Sequence, residues 1–178
     1  GLQEAGARNL GWGFVGMAHL FVKGNASVTK PADLKSRKPY MWRDDLVAPV
    51  FYQVIGATPV PLNVPEVLPG LKAGTVDTVV SPALAVEQLQ WAGQLDQVSN
   101  QITGAAIGAI VINEKRLGNL PGDLRTIVVD TGAIAAKALT DKIKTSDSDA
   151  FNRMKLKKFD VDKSAFDCFL AVLDEWEA

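Results

Sequence analysis

The sequence contains little of what several protein classes require. Its single cysteine, Cys168, excludes a disulfide within the chain and a cysteine-based zinc site. It has no apolar run of the roughly 18 residues that a membrane-spanning helix needs. Its 19 basic and 20 acidic residues leave a net charge of −1, without the basic excess of nucleic-acid-binding proteins. We therefore expect no nucleic-acid partner.

Catalytic motifs are equally scarce. The sequence has no G-x-S-x-G elbow, no G-x-x-x-x-G-K-[ST] phosphate loop and no H-E-x-x-H zinc motif. Its only histidine, His19, lies in an apolar run typical of a strand, which favours a structural histidine over a catalytic base. The pair Asp44 and Asp45 fits either a cation site or the cap of the next helix, and the cap is favoured. These patterns predict a chain that is not an enzyme and holds no metal or cofactor.

Gly11, Gly13 and Gly16 form the G-x-G-x-x-G pattern of dinucleotide-binding loops. In such a loop the glycines follow a strand and open a helix. Here they lie inside one apolar run, and a second apolar run follows. We therefore interpret the glycines as part of a strand.

Short apolar runs alternate with amphipathic stretches along the 178 residues, a pattern that predicts an α/β fold. Strands are expected over residues 10–15 and 19–22, and a buried strand over residues 104–112. The composition, 47% hydrophobic and 22% charged, supports a folded core of one domain or a domain and a half.

Several residues mark where helices begin and end. Asn63 stands three residues before Glu66, the spacing of a capping box. Gly56 and Gly74 follow apolar helical patterns, where a left-handed C-terminal cap is expected. Ser81, followed by proline, is typical of a helix start, and this helix is predicted to run to about residue 91.

A long helical stretch is expected from about Leu120. Residues 145–149 are predicted to interrupt it, residues 151–158 to resume it and residues 159–161 to form an edge strand. A last helix is predicted from Ser164. The predicted buried face of the long helix carries Leu124, Ile127, Val128, Thr131, Ile134, Ala135 and Ala138.

Three motifs follow one another in the first half of the chain. Residues 30–35 are KPADLK, residues 56–62 are GATPVPL and residues 66–77 are EVLPGLKAGTVD. In this order they resemble the DctP-type extracytoplasmic solute-binding proteins of tripartite ATP-independent periplasmic (TRAP) transporters. The resemblance extends from about Leu10 to the end of the chain.

The resemblance implies an α/β fold of the periplasmic binding protein-like type II: two lobes with mixed sheets flanked by helices, and a long C-terminal helical region. It also implies a periplasmic receptor that captures a small-molecule ligand between the lobes for integral membrane transporter subunits. Roughly the first third of a typical family sequence has no counterpart before Gly1. Residues 1–178 are therefore expected to be the C-terminal portion of a two-lobed solute-binding protein and to contain parts of both lobes. A missing N-terminal segment or a second chain would complete the protein.

The resemblance also indicates where this sequence departs from its family. Tyr40 occupies the position of the arginine that clamps the ligand carboxylate, and Arg43 is either its substitute or neutralised by Asp44. An aromatic set suggests a larger, more apolar or lipid-like ligand, although Trp12, Phe14 and Trp91 fit core positions equally well. The predicted ligand contacts are Tyr40, Trp42, Arg43, Ser81, Gln90, Trp91, Trp12 and Phe14.

Two other functions fit a two-lobed fold. A ligand-sensing domain of a transcription regulator is the main alternative, and it would require a DNA-binding segment upstream. An enzyme is disfavoured because no nucleophile and base are paired in the sequence.

Overall fold

The computed structural model describes Leu2 and residues 4–162. None of the helices in this part of the chain combines the length and apolar character that crossing a membrane requires. Its elements, in chain order, are β1 (Ala7–Val22), a 3-10 helix (Pro31–Ser36), β2 (Tyr40–Trp42), α1 (Ala48–Ile55), β3 (Val60–Leu62), α2 (Val64–Ala73), β4 (Thr78–Pro82), α3 (Ala83–Gln88), a second 3-10 helix (Ala92–Gln94), β5 (Gln97–Asn113), α4 (Glu114–Gly118), α5 (Gly122–Arg153) and β6 (Lys157–Phe159).

The strands form two sheets. The larger has the order β4-β1-β5-β6, in which β1 runs antiparallel to both neighbours and β6 runs parallel to β5. Strands β2 and β3 form a separate parallel pair, with Tyr40 opposite Val60. A single bridge between Pro39 and Thr78 connects this pair to β4. The larger sheet is therefore mixed, as the family resemblance implies.

Each face of the larger sheet carries its own buried cluster, because side chains alternate between faces along a strand. Phe21 belongs to the cluster that also contains Trp91 and Ala150. Its neighbours Leu20 and Val22 belong to the other cluster. The first cluster packs α2, α3 and the end of α5 against the sheet, and the second packs α1 and the first 3-10 helix.

Strands β1 and β5 continue beyond the rest of the sheet as a two-stranded ribbon, defined here as residues 7–17 and 104–113. Within the described chain, β4 pairs only with residues 18–22 and β6 only with residues 97–99, so both edges of the ribbon are open. Helix α5 covers one face of the ribbon. The other face exposes Trp12 (65%) and Ile107 (70%).

The first two glycines of the G-x-G-x-x-G pattern allow α5 to lie directly on β1. A Cβ at Gly11 would lie 2.5 Å from the Cβ of Ala136, and one at Gly13 would lie 3.5 Å from Oγ1 of Thr140. The helix itself contributes Gly132, where a Cβ would lie 2.6 Å from a side chain of β1. The pattern is thus a packing surface inside a strand, which confirms the strand interpretation.

The carboxylate of Asp147 connects three elements in the interior. This residue is 5% exposed; its Oδ2 accepts the backbone N–H of Met17 (2.8 Å) and its Oδ1 that of Leu84 (2.9 Å). Beside it, Gly16 has φ of 148°, and a Cβ there would lie 2.4 Å from the Cβ of Pro82. Strand β1 also shifts its register against β5 at Gly16. Asp147 therefore holds β1 where the strand bulges.

The local helix signals are confirmed at three positions. Asn63 and Glu66 form the predicted capping box, with the Asn63 N–H donating to Glu66 Oε2 at 2.7 Å. Gly56 and Gly74 end α1 and α2 with φ of 68° and 71°. The predicted helix start at Ser81 is wrong, because Ser81 lies in β4 and α3 begins at Ala83 and ends at Gln88. Asp147, not the Ser81 hydroxyl, accepts an N–H of the first turn of α3.

The long elements β1, β5 and α5 differ from the predictions. Residues 10–15 and 19–22 form one strand, with the bulge at Gly16. The strand predicted over residues 104–112 lies within β5, but it is not buried, because one ribbon face is uncovered. Helix α5 is continuous through residues 145–149. The Asp147 side chain accepts hydrogen bonds from β1 and α3, so it does not compete for the backbone hydrogen bonds of its own helix.

The buried face and the end of α5 also differ from the prediction. Ile127 and Ile134 are 58% and 69% exposed. Helix α5 lies so close to β1 that small residues such as Gly132 and Ala136 occupy its buried face. The helix ends at Arg153 and does not resume, and the edge strand is Lys157–Phe159. The helix predicted from Ser164, which includes Cys168, lies outside the described residues.

Candidate ligand-binding cleft

A cleft of about 390 Å³ opens between the larger sheet and the segment that runs from the first 3-10 helix to α1. Leu20 and Val80, which face each other across β1 and β4, form part of its lining. This volume is in the range of small-molecule sites. The other lining residues are Val28, Lys30, Pro31, Leu34, Tyr40, Met41, Trp42, Asp45, Val47, Ala48, Phe51, Tyr52, Thr103 and Val161.

Strand β2 contributes Tyr40, Met41 and Trp42 to this lining. The Tyr40 ring meets the Trp91 ring edge to face, with centroids 6.1 Å apart and an interplanar angle of 72°. Trp42 is 50% exposed. Tyr40 thus packs against the core, whereas Trp42 has exposed aromatic surface that a ligand can cover.

Helix α1 contributes Phe51 and Tyr52, whose rings are 5.3 Å apart. The Tyr52 hydroxyl donates to the Tyr40 carbonyl oxygen at 3.4 Å. Burial raises the pKa of Tyr52 to about 12, and the charge of Asp45 adds to this effect. Burial and Asp45 also raise the pKa of Tyr40. Both phenols are therefore neutral near pH 7 and act as polar groups without charge.

Two charged side chains, Lys30 and Asp45, line the cleft. Asp45 caps α1, because its Oδ1 accepts the N–H groups of Val47 (2.8 Å) and Ala48 (2.9 Å). This confirms the capping interpretation of the acidic pair. Lys30 is exposed, and none of the ion pairs among the described residues includes it.

Arg43 does not line the cleft. Its guanidinium forms an ion pair with Glu66 at 3.1 Å, and both side chains are about half exposed. Glu66, not Asp44, therefore neutralises Arg43, and the same Glu66 completes the capping box of α2. The sequence could not show this pairing, because the two residues are brought together by the parallel contact of β2 and β3.

The remaining predicted ligand contacts also lie outside this lining. Trp91 is 3% exposed and belongs to the core, and Ser81 is buried in β4. Gln90 is exposed and has φ of 61°. Trp12 and Phe14 lie on the ribbon. A ligand contact by any of these five residues stays a prediction.

Sequence reasoning missed Phe51 and Tyr52 as lining residues. In the sequence, an apolar face with helical spacing is predicted for Leu46, Val47, Val50, Phe51 and Val54, but Leu46 is 86% exposed. The buried residues of α1 are Tyr52 and Ile55. The helix is thus rotated relative to the predicted face, which places Phe51 at the rim of the second core cluster.

His19 lies outside the cleft lining and is 6% exposed. Its ring stacks on Phe151 with centroids 4.2 Å apart, and its Nδ1 lies 3.0 Å from the Ser99 carbonyl oxygen. Burial lowers the pKa of His19, so the imidazole is neutral at pH 7. These contacts agree with the structural interpretation. Among the described residues, no group of three His, Cys, Asp or Glu could hold a metal ion.

The sequence matches a family model over residues 1–167, and that model is described as DctP, bacterial extracellular solute-binding protein, family 7. The chain belongs to this family. The motif resemblance is thereby confirmed. The family description specifies solute binding and no catalysed reaction, which agrees with the expectation that the chain is not an enzyme. It does not favour a transcription regulator.

The fold is similar to that of solved members of this group. A TRAP periplasmic solute-binding protein from Sulfitobacter sp. NAS-14.1 with bound β-D-galacturonate is 18% identical, with a TM-score of 0.87 over 98% of this chain and 59% of that one. An extracytoplasmic solute receptor from Bordetella pertussis that binds pyroglutamic acid is 16% identical, with a TM-score of 0.85 over 98% and 59%. The periplasmic ectoine-binding protein of the TeaABC TRAP transporter from Halomonas elongata is 20% identical, with a TM-score of 0.86 over 97% and 57%.

These similarities confirm the α/β fold of the periplasmic binding protein-like type II. At identities of 16–20% they concern the fold alone. The chain spans 57–59% of the length of these three proteins.

Proposed function

We propose that this chain carries the ligand-binding cleft of a periplasmic solute receptor, which delivers its ligand to the integral membrane subunits of a TRAP transporter. Membership in the DctP family supports receptor function. The observation that carries the proposal is the cleft of about 390 Å³, which is bounded on one side by the segment that begins with the KPADLK motif. Closure of a second lobe over the cleft would hold the ligand, as in other two-lobed receptors.

The ligand proposed for this cleft has a large apolar surface. Most lining side chains are aliphatic or aromatic, with Met41, Trp42 and Phe51 among the largest. Tyr40 stands where the family resemblance places a clamping arginine, and no arginine of the described residues lines the cleft. A sugar acid such as galacturonate would leave several hydroxyl groups without polar partners here, at a cost in binding free energy. An apolar or lipid-like small molecule avoids that cost.

Residues 1–178 are further proposed to be the C-terminal portion of the receptor, with parts of both lobes. The uncovered face of the ribbon supports this, because Trp12 and Ile107 expose apolar surface beside two open strand edges. Exposed edges and apolar faces favour pairing with another polypeptide. We infer that a further segment of the same protein, or a second chain, packs on this face.

The proposed ligand class is tested by thermal unfolding with a panel of small molecules that contains apolar compounds and sugar acids. A ligand at about 100 times its Kd adds about 2.7 kcal/mol to the free energy of unfolding, which raises Tm by several degrees for a chain of this size. We expect such shifts from apolar compounds and none from sugar acids. Shifts from the sugar acids alone would contradict the apolar assignment.

The Trp42→Ala variant tests whether the ligand binds in this cleft. Trp42 is 50% exposed, which leaves roughly 100 Å² of ring surface, and covering it contributes about 2.5 kcal/mol. The variant should therefore weaken binding about 60-fold. Ile134→Ala, at an exposed apolar residue of α5, should bind as the wild type does. Equal loss in both variants, or loss in neither, would place the ligand elsewhere.

A further inference from the structure

We propose that the outer face of α5, turned away from the ribbon, binds a second copy of this chain. Two α5 helices then pack antiparallel about a twofold axis, which makes the contact self-complementary. This face is separate from the ligand-binding cleft and from the uncovered face of the ribbon, and no ligand takes part in the contact. The dimer therefore does not depend on the proposed function.

Five residues of α5 recur at alternating steps of three and four positions, which places them on one side of the helix like the a and d positions of a coiled coil. They are Leu124, Ile127, Thr131, Ile134 and Ala138, here called the α5 seam. All five are exposed, although three of them are large aliphatic residues. Such a row of apolar side chains in water is typical of an interaction surface.

The α5 seam lies opposite the face of α5 that packs on the sheet. Gly132 and Ala136 face β1, and the helical period of 3.6 residues per turn directs the seam away from that strand. Further along the helix, the outward side carries the exposed polar residues Lys142, Thr145 and Asp149. The apolar outer surface is thus confined to the half of α5 that covers the ribbon.

Charged residues flank the seam at intervals of seven positions, in an order that suits an antiparallel copy. Asp123 and Asp130 lie in the first half, Lys137 and Lys144 lie in the second, and all four are exposed. These are g positions, which face the g positions of the partner in an antiparallel coiled coil. The register that sets Asp130 against Lys137 of the second copy also sets Asp123 against Lys144. The twofold axis repeats each pair, so pairs of opposite charge flank the seam along its whole length.

The apolar layers agree with this register. It sets Ile127 against Ala138 of the second copy and Thr131 against Ile134, so each isoleucine meets a smaller residue. A parallel pair would instead set a lysine of one g position against Lys142 of the second copy, and like charges in contact disfavour association. Size and charge therefore both favour the antiparallel dimer.

The flanking charges are available to a second copy. Among the described residues, neither aspartate at the g positions forms an ion pair within 4.0 Å, and neither does Lys144. Lys137 pairs with Asp141 at 3.1 Å, but its side chain is 81% exposed, and an ammonium group has three donors with which to bind a second carboxylate. Asp141 lies past the seam, and this register places it against Leu124 of the second copy at the rim, where water reaches its carboxylate.

The test is sedimentation equilibrium of the full chain between about 1 and 500 µM, a range that covers the weak affinities of small interfaces. We expect a monomer–dimer equilibrium within this range. Ile134→Glu should weaken dimerisation at least about tenfold, because it buries two carboxylates in the seam of each dimer. Thr126→Glu is the matched control, because it adds the same charge at an exposed residue of α5 outside the seam. This control should dimerise like the wild type.

Charge reversal tests the antiparallel register. Asp130→Lys alone and Lys137→Asp alone each turn two attractive pairs into repulsive ones, and each should weaken dimerisation about tenfold. The double variant, Asp130→Lys with Lys137→Asp, restores opposite charges across the axis. It should therefore dimerise within about threefold of the wild type.

Three results would contradict the dimer. A monomer at every concentration would overturn the proposal and leave the seam to a further segment of the same protein. A dimer that Ile134→Glu does not weaken would place the contact on another surface, such as the ribbon, and would also overturn it. A double variant that dimerises no better than the single variants would overturn the antiparallel register.

Discussion

Replacing Asp147 with alanine removes the two hydrogen bonds that connect α5 to β1 and α3. Each bond runs from a backbone N–H to a carboxylate, and Asp147 is 5% exposed. Loss of one such charge-assisted bond costs about 1.5–3 kcal/mol. We therefore expect the free energy of unfolding to fall by about 3–6 kcal/mol, a large part of the ~5–15 kcal/mol typical of a folded domain. Asp147→Asn retains one acceptor oxygen and should cost about half as much.

Urea unfolding of Asp147→Ala beside Asp141→Ala measures this contribution. Asp141 lies on the same helix, but its side chain is 61% exposed, and its one ion pair with another described residue is that with Lys137 at 3.1 Å. Such an exposed pair contributes about 0.3–0.5 kcal/mol. Hydrogen exchange at the amides of Met17 and Leu84 should also accelerate in Asp147→Ala, because those N–H groups lose their acceptor. Equal unfolding midpoints for the two variants would refute the reasoning.

Two other predictions concern stability. Gly16→Ala should lower the free energy of unfolding by more than about 2 kcal/mol, because the new Cβ would lie 2.4 Å from the Cβ of Pro82. Gly118→Ala is the control and should have little effect on the urea midpoint, because a Cβ there meets no atom within 4 Å. Stability should also decline as pH falls below 6.5, because burial lowers the pKa of His19 in the folded chain, so the unfolded chain takes up the proton first. His19→Gln should reduce this decline in urea midpoints measured on either side of pH 6.5, and an unchanged decline would assign it to other groups.

The sequence by itself determined the features that depend on near neighbours in the chain. Asn63 and Glu66 are three residues apart, so their spacing alone places the capping box. Gly56 and Gly74 end helices because glycine adopts a positive φ at low cost. The ordered motifs, which contain Gly56, Glu66 and Gly74, also identified the family. Strand and helix existence followed from apolar periodicity over short windows.

The cleft could be predicted only in part. Tyr40 and Trp42 were indicated by their place after the KPADLK motif, and both line the cleft. Phe51 and Tyr52 were not, because the rotation of α1 depends on the sheet against which it packs. Apart from its place in the KPADLK motif, nothing in the sequence indicated that Lys30 lines the cleft.

Tertiary structure decided the features that join distant parts of the chain. Asp147 accepts an N–H from a residue 130 positions away, and this contact makes a polar segment part of a continuous helix. Gly11 and Ala136 determine which face of α5 is buried, although apolar spacing favoured another face. Trp91 entered the core and Arg43 paired with Glu66 for the same reason. Local periodicity indicates that a helix or strand forms, but the fit of its surface against a partner decides which side chains are covered and which remain free to bind.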